Sequence, residues 1–103
     1  MPKKKISELR YRASRVCRVL ANPTAYEILH ILKKGAKTPI ELGEILGVHI
    51  STVSHILKSL RQVDLVVYVV RFRERIYRIK EEAIVMVMLK LKNLIERIKT
   101  REY

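Results

Sequence analysis

The amino-acid sequence predicts a mainly α-helical fold with one small β-hairpin, in the order four helices, two strands and a final helix. Apolar residues recur at helical spacing in five segments, and two β-branched, aromatic segments flank a short basic stretch. Glycine and proline are scarce, with 3 of each in 103 residues. No linker or repeat divides the chain, so we predict a single domain over residues 1–103.

The first helix is predicted over residues 4–20, because its apolar residues follow one another at steps of three and four. This stripe consists of Ile6, Leu9, Ala13, Val16 and Leu20. Cys17 lies beside the stripe and is expected to be buried as a small hydrophobe. A redox switch through a cross-subunit disulfide at Cys17 is the alternative.

The second helix is predicted over residues 23–34 from the signals at its two ends. Asn22 is a good N-cap, and Pro23 at the first helical position loses no hydrogen bond that the helix needs. Two lysines and then Gly35 close the segment, as expected at a helix C-terminus with a left-handed cap.

A shorter helix is predicted over residues 39–46. Thr38 and Glu41 have the spacing of a capping box, with a proline at the first helical position. Gly47 then permits the sharp turn that ends this helix.

Residues 38–62 have the spacing of a helix-turn-helix. Gly43 is small where two helices would cross closely, and Gly47 follows four residues later. The buried positions that would lock the second helix of this unit against the first are Val48, Val53 and Ile56. This second helix is predicted over residues 50–62, and Asp64 stands where a left-handed residue is expected after it.

Two antiparallel strands are predicted within residues 65–80. The segments 65–72 and 76–79 are β-branched and aromatic, and the stretch Arg73–Arg75 between them is predicted to be the turn. The aromatic residues of these segments are Tyr68, Phe72 and Tyr77. We expect them to pack in the core or on the hairpin rather than to stack on bases. A helix-turn-helix followed by a hairpin predicts a winged helix-turn-helix.

The last helix is predicted over residues 82–100, with two acidic residues at its start. Its apolar residues form a coiled-coil-like seam of Ile84, Met88, Leu91, Ile95 and Ile98, which Val87 and Leu94 widen. Residues 83–89 are apolar on all sides, and a chain of this length can hardly cover them. We therefore expect a partner subunit to pack against the helices at 4–20 and 82–100.

The formal net charge is +12, which predicts a polyanionic partner. The charge is concentrated at residues 1–20, with net +6, and at residues 58–80, with net +5. Nucleic acid is the expected partner, and an anionic membrane surface is the alternative. The longest apolar runs, 65–70 and 83–89, are far shorter than the roughly 20 residues of a membrane span.

The composition bears on several other classes of protein. One cysteine cannot form an intrachain disulfide, so we expect an intracellular protein. Abundant Ile, Val, Lys, Arg and Glu are typical of a thermophile. The sequence contains no paired catalytic carboxylates, no nucleophile–histidine pair in a glycine-framed loop and no phosphate-binding loop, so we predict neither an enzyme nor a cofactor. The three histidines, His30, His49 and His55, do not have metal-ligand spacing on one helical face.

The sequence resembles the ArsR-type winged helix-turn-helix repressors over residues 16–80. The resemblance is carried by the strings LANPT with IL at 20–29, EL with LG at 41–47, STVS with LK and LR at 51–61, and RIYRI at 75–79. It implies a homodimeric DNA-binding repressor that dimerises through its first and last helices. Such a regulator is expected in the cytoplasm, associated with the nucleoid.

The chain also departs from this family's usual pattern. The paired cysteines of the family's soft-metal site are missing from residues 41–45, and residues 82–100 lack the Asp and His of its zinc site. We therefore expect no metal effector at either place. Ala25 stands where the family usually has a basic residue, and His49 and Ile50 replace its usual polar pair, so DNA contacts there would differ.

The helix at 50–62 is predicted to be the recognition helix, because a major groove admits an α-helix and presents a distinct pattern for each base pair. Serine hydroxyls and His55 would bond bases or phosphates, Ile50 would touch a thymine methyl, and the basic residues further along would meet phosphates. Arginines of the hairpin suit a narrow minor groove. The predicted DNA-contacting residues are His49, Ile50, Ser51, Thr52, Ser54, His55, Lys58, Arg61, Arg71, Arg73 and Arg75.

These observations predict a sequence-specific transcription regulator, a repressor, that binds a near-palindromic site in double-stranded DNA as a homodimer. Two alternatives stay open. The high charge also suits a non-specific architectural protein that coats DNA. A winged helix can instead bind RNA or another protein, with the last helix docking the other subunit.

Overall fold

A computed structural model describes residues 6–102, and side chains as far as residue 99. The elements are α1 (Glu8–Leu20), α2 (Pro23–Leu32), α3 (Pro39–Leu46), α4 (Ile50–Gln62), β1 (Val66–Arg71), β2 (Glu74–Ile79) and α5 (Ala83–Glu102). This order confirms the predicted fold class. Within the described residues, no helix combines the length and apolar character that a membrane crossing requires.

Two helices are shorter than predicted. α1 begins at Glu8 rather than at residue 4, because Ser7 is a non-helical N-cap whose side chain accepts a hydrogen bond from the Arg10 amide. Residues 4 and 5 of the predicted helix lie outside the described part of the chain. α2 ends at Leu32, because the Lys34 amide donates to the Ile31 carbonyl at 3.1 Å in a tighter turn.

The predicted N-caps of α2 and α3 are confirmed, as is the end of α3 at Gly47. The predicted left-handed cap of α2 at Gly35 is wrong, because the C-cap is Lys33 in a right-handed conformation and Gly35 has a φ of 158°. Asn22 Oδ1 accepts hydrogen bonds from the second and third residues of α2, at 2.9 and 3.1 Å. At α3, Thr38 Oγ1 accepts from the Glu41 amide at 3.2 Å, and Glu41 Oε1 accepts from the Thr38 amide at 2.9 Å. The bond from the Thr38 amide lowers the pKa of Glu41. Gly47 takes the left-handed conformation, with φ 65°.

Gly43 lies where the turn after α3 folds back on the helix. A Cβ atom at this position would lie 2.9 Å from the Val48 carbonyl oxygen. The Val48 amide donates to the Gly43 carbonyl at 3.0 Å, which draws the two backbones together. A small residue is therefore required here, as predicted, but the close neighbour is the backbone of the turn.

The core lies between α2, α3, α4 and the base of the hairpin. Leu29 of α2, Leu42 of α3 and Leu57 of α4 are completely buried. The remaining core residues are Ala25, Ile28, Leu32, Val53, Ile56, Leu60, Leu65, Val66, Tyr77, Ile79, Ile84 and Met88. The two residues of α5 in this set close one side of the core.

The hairpin turn lies at Phe72 and Arg73, not at Arg73–Arg75 as predicted. Strand pairing continues to the pair Arg71 and Glu74, which leaves only two residues to connect the strands. Both have positive φ values, 51° and 66°, as two-residue turns that match the twist of the strands require. The packing expected for Phe72 is also wrong, since its side chain is 97% exposed.

The base of the hairpin is attached to two connecting segments. The Lys37 amide donates to the Tyr77 carbonyl at 3.0 Å, and the Tyr77 amide donates to the Lys37 carbonyl at 2.8 Å. Asp64 has φ 62°, which confirms its predicted left-handed conformation. Its carboxylate lies 3.2 Å from the Lys80 ammonium group. The loops before α3 and β1 therefore both contact the hairpin.

The terminal helices are largely uncovered. α1 has no buried residue, and Cys17 is exposed, so its predicted burial is wrong within a single subunit. The radius of gyration is 16.1 Å, whereas a compact domain of this length has a value of about 13 Å. The apolar residues within 83–89 differ in exposure: Ile84 and Met88 are buried, whereas Met86, Val87 and Leu89 are exposed.

Gly43→Ala should destabilise the fold by about 1–2 kcal/mol, because the cost of overpacking exceeds the roughly 1 kcal/mol gained in helix propensity. Urea unfolding at a fixed protein concentration measures the change. The exposed neighbour Glu44→Ala is the control, with an expected change within about 0.5 kcal/mol. An alanine variant at position 43 as stable as the original chain would contradict the close approach.

Candidate nucleic-acid interface

The outward face of α4 is set by its buried face. Val53, Leu57 and Leu60 are completely buried, so the side chains opposite them point to solvent. Every residue of α4 predicted to contact DNA is exposed, as is the N-cap; these residues are His49, Ile50, Ser51, Thr52, Ser54, His55, Lys58 and Arg61. By helical spacing, Ser51, His55 and Lys58 lie opposite the buried residues and form the central row of this face, whereas Ile50 and Thr52 lie towards its two edges.

His49 and Ser51 are bonded to each other at the start of α4. His49 is the N-cap, and its Nδ1 accepts a hydrogen bond from the Ser51 amide at 3.1 Å. The same nitrogen lies 2.8 Å from the Ser51 hydroxyl oxygen. A neutral ring that accepts at Nδ1 carries its hydrogen at Nε2, which leaves one donor for a base or phosphate. The cap thus shapes the helix end that would enter a groove.

His55 belongs to the central row and also lies near the α1–α2 connection. It lines an open cleft of about 230 Å³ between α4 and the α1–α2 connection, together with Arg18, Asn22 and Ser59. Sequence reasoning did not select Arg18, because it falls outside the apolar stripe of its own helix and no local pattern relates it to α4. Arg18 therefore adds a cation beside the predicted site.

Tyr68, in the half of the hairpin nearest its base, contacts arginines from two elements. The guanidinium carbon of Arg61, from α4, lies 5.3 Å from the centre of the Tyr68 ring. That of Arg75, from β2, lies 4.6 Å from the same ring, and a hydrogen bond with the Tyr77 side chain raises the pKa of Arg75. The Tyr77 ring is 5.2 Å from that of Tyr68. This Tyr68 cluster joins the wing to the end of the candidate recognition helix.

The structure separates the three arginines predicted for the wing. Arg71 and Arg75 lie on opposite faces of the hairpin. Paired residues share a face, and Arg75 pairs with Val70. Val70 precedes Arg71 in the same strand, so their side chains point to opposite faces. Arg73 lies in the turn. Since Arg75 packs on Tyr68, the two arginines at the free end of the wing are Arg71 and Arg73.

The residues predicted for dimerisation fall into three groups by exposure. Ile84 and Met88 are buried in the subunit itself. The large residues that are clearly exposed are Ile6, Leu9, Val87, Leu94, Ile95 and Ile98. Ala13 and Cys17 are also exposed, whereas Val16, Leu20 and Leu91 are half-buried. Leu9, Ala13 and Val16 line an open cleft of about 400 Å³ between α1 and the segment after α4.

Residues 20–69 match the helix-turn-helix domain family. This segment begins at the end of α1 and ends within β1, so it contains all of α2, α3 and α4. The hairpin follows α4 directly. The chain therefore has the winged helix-turn-helix fold. No curated protein sequence matches it.

Solved structures show the same fold along nearly the whole chain. Rv0081 of M. tuberculosis has a TM-score of 0.85 at 21% identity, covering 94% of this chain and 98% of its own. A homodimeric winged helix-turn-helix DNA-binding domain from Mycobacterium bovis, a possible ArsR-family transcriptional regulator, has a TM-score of 0.82 at 21% identity, covering 96% and 95%. An ArsR-like transcriptional regulator from Rhodococcus has a TM-score of 0.69 at 22% identity, covering 92% and 90%. These structures confirm the fold that the resemblance to ArsR-type proteins implied.

Tyr68→Leu should reduce the free energy of unfolding by about 1–2 kcal/mol, since an exposed cation–π contact contributes about 0.5–1 kcal/mol and two would be lost. Urea unfolding provides the measurement. Tyr68→Phe is the matched control, because it keeps the ring under both guanidinium groups. Equal losses for the two variants would show that the arginine contacts do not stabilise the winged helix.

Proposed function

We propose that this winged helix-turn-helix protein is a transcription regulator that binds double-stranded DNA. The observation that carries the proposal is the exposed polar row of α4 beside a basic hairpin that the Tyr68 cluster holds to the same helix. A helix with such a face suits the major groove, and the net charge of +12 favours a polyanion. The chain acts by binding rather than by catalysis.

The functional unit of this proposal is a homodimer that α1 and α5 hold together. Ile6, just before α1, and Leu9, within α1, are 73% and 77% exposed, and Ile95 of α5 is 59% exposed. Covering such side chains is favourable by about 25 cal/mol for each Å² removed from water. A second copy offers the same two helices, and one twofold contact would cover both. The M. bovis domain is described as homodimeric, which supports this arrangement.

A symmetric dimer has two recognition helices, so the proposed target is a near-palindromic site. Its half-sites lie about 34 Å apart, one turn of B-form DNA. Binding there would block polymerase and make the protein a repressor, working in the cytoplasm at the nucleoid. The absence of a metal effector at the usual family sites stays a prediction for metal-binding measurements.

Selection from random duplex DNA with the full chain tests the proposal directly. We expect enrichment of a motif with twofold symmetry and half-sites one helical turn apart. Binding to all duplexes with equal affinity would replace it with the second candidate, a non-specific architectural protein, which the concentrated basic charge favours. A preference for RNA over duplex DNA would contradict both.

Lys58→Ala and Arg73→Ala should each weaken the salt dependence of DNA binding. Loss of one phosphate contact in each half-site lowers the slope of log affinity against log salt by about 1.8 per dimer, at roughly 0.9 per contact. Fluorescence anisotropy at several salt concentrations measures this slope. Arg97→Ala on α5 removes the same charge away from α4 and the wing, and should leave the slope unchanged. Equal effects of all three variants would point to net charge alone.

Ile95→Glu should convert the dimer into a monomer, because dimerisation would bury an unpaired carboxylate against apolar side chains. Light scattering should then give the single-chain mass of 12.1 kDa rather than twice that value. Asn93→Glu is the control, since it introduces a carboxylate on the face of α5 opposite Ile95, where the side chain is exposed. Dimers of both variants would exclude this face of α5 from the interface.

A further inference from the structure

The free end of the wing presents an aromatic side chain that contacts almost nothing. Phe72 is the only phenylalanine in the chain, and its side chain is 97% exposed. Val70 and Val69 beside it are 62% and 48% exposed. The far half of the hairpin therefore exposes three apolar side chains that do not serve the core, although the core is the usual reason for apolar residues in a strand.

The backbone at this position does not favour phenylalanine. Phe72 has φ 51°, in the left-handed region that two-residue turns usually fill with Asn, Asp or Gly. A bulky residue there is strained, and strain of this kind persists where the residue serves another purpose. Neither packing nor turn geometry accounts for the phenylalanine.

The charges around the tip indicate what it meets. Arg71 and Arg73 flank the ring along the chain, and Glu74 is the one acidic residue among the four residues 71–74. An apolar side chain between arginines suits a minor groove, where the phosphates attract cations and apolar wedges insert between base steps. A membrane surface would also accept this combination, but the wing is held against α4, whose outward row is polar.

The length of the wing also fits DNA. Each strand has six residues, which at about 3.3 Å per residue extend roughly 20 Å. Major and minor grooves alternate about every 17 Å along one face of a duplex, half of a helical turn of roughly 34 Å. With α4 in one groove, the tip of a hairpin braced at its base by Tyr68 can reach the next.

We infer that Phe72 is a wedge that inserts between base pairs in the minor groove and bends the DNA to which the protein binds. The inference rests on the proposed function and adds a deformation of the DNA to it. Arg71 and Arg73 hold the phosphates on either side of the opened step. Steps that unstack at low energetic cost, such as TA, are then preferred beneath the wing.

The test compares the full chain with Phe72→Asn and Phe72→Trp on a duplex that carries the selected sequence and a dye at each end. Asparagine suits the left-handed turn, so its urea midpoint should equal or exceed that of the original chain. Its DNA affinity should nevertheless fall by about tenfold or more, the size of the effect of one aromatic–base stack. The shortening of the dye-to-dye distance on binding should also disappear.

Phe72→Trp supplies a direct readout, because the chain contains no other tryptophan. Its fluorescence should be quenched on binding duplex DNA, and it should keep the affinity and the bend. A duplex with a mismatch beneath the wing opens more easily, so the original chain should bind it more tightly, while Phe72→Asn should show no preference.

Equal affinity and equal bending by the original chain and Phe72→Asn would overturn the inference and leave the proposed function intact. If the original chain binds no duplex at all, the proposed function fails, and the wedge fails with it. A tryptophan spectrum that responds to phosphatidylglycerol vesicles but not to duplex DNA would assign the tip to a membrane surface and also overturn the inference.

Discussion

The burial of one face of α4 is the constraint on which the rest of the structure depends. Val53, Leu57 and Leu60 have no exposed surface, and rotating the helix about its axis would exchange them for polar side chains at a cost of several kcal/mol. Their burial therefore decides that the row of Ser51, His55 and Lys58 faces solvent. The turn before α4 adds a second constraint, because only glycine at position 43 allows the backbone of Val48 to approach so closely.

The wing depends on α4 in turn. A two-stranded hairpin alone is marginally stable in water, and here its base is held by Tyr77 in the core, the backbone pair between Lys37 and Tyr77, and the Tyr68 cluster. Its free end has no comparable contacts. The hairpin is thus firmly placed at one end and fully available at the other, which suits an element that reaches towards a partner while the helix beside it stays in position.

The terminal helices, in contrast to α4, bury few of their apolar side chains within the subunit. α1 buries none of its residues, and α5 contributes only Ile84 and Met88 to the core among its described side chains. Their remaining apolar side chains need a covering surface. The same two helices that leave a single subunit incomplete provide the twofold interface of the proposed dimer, so assembly and the spacing of two recognition helices have one structural origin.

Local signals in the sequence determined the order of the elements and most helix ends. Asn22, Thr38, Gly47 and Asp64 act through hydrogen bonds or backbone conformations within a few residues, so their roles could be deduced without knowledge of the fold. The spacing of buried residues in α4 likewise identified its exposed face. Those predictions depended on short-range geometry alone.

Only the tertiary structure decided which distant residues meet. The two guanidinium groups on Tyr68 and the proximity of Arg18 to His55 involve separate elements, and no local pattern encodes such pairs. The strand register moved the turn to Phe72 and Arg73, because pairing continued to the last residue that could form a ladder. Packing of α5 against the core also divided its apolar seam, since side chains such as Ile84 and Met88 are buried only where the helix passes over the core. Sequence periodicity identifies a face, whereas three-dimensional packing decides what covers that face.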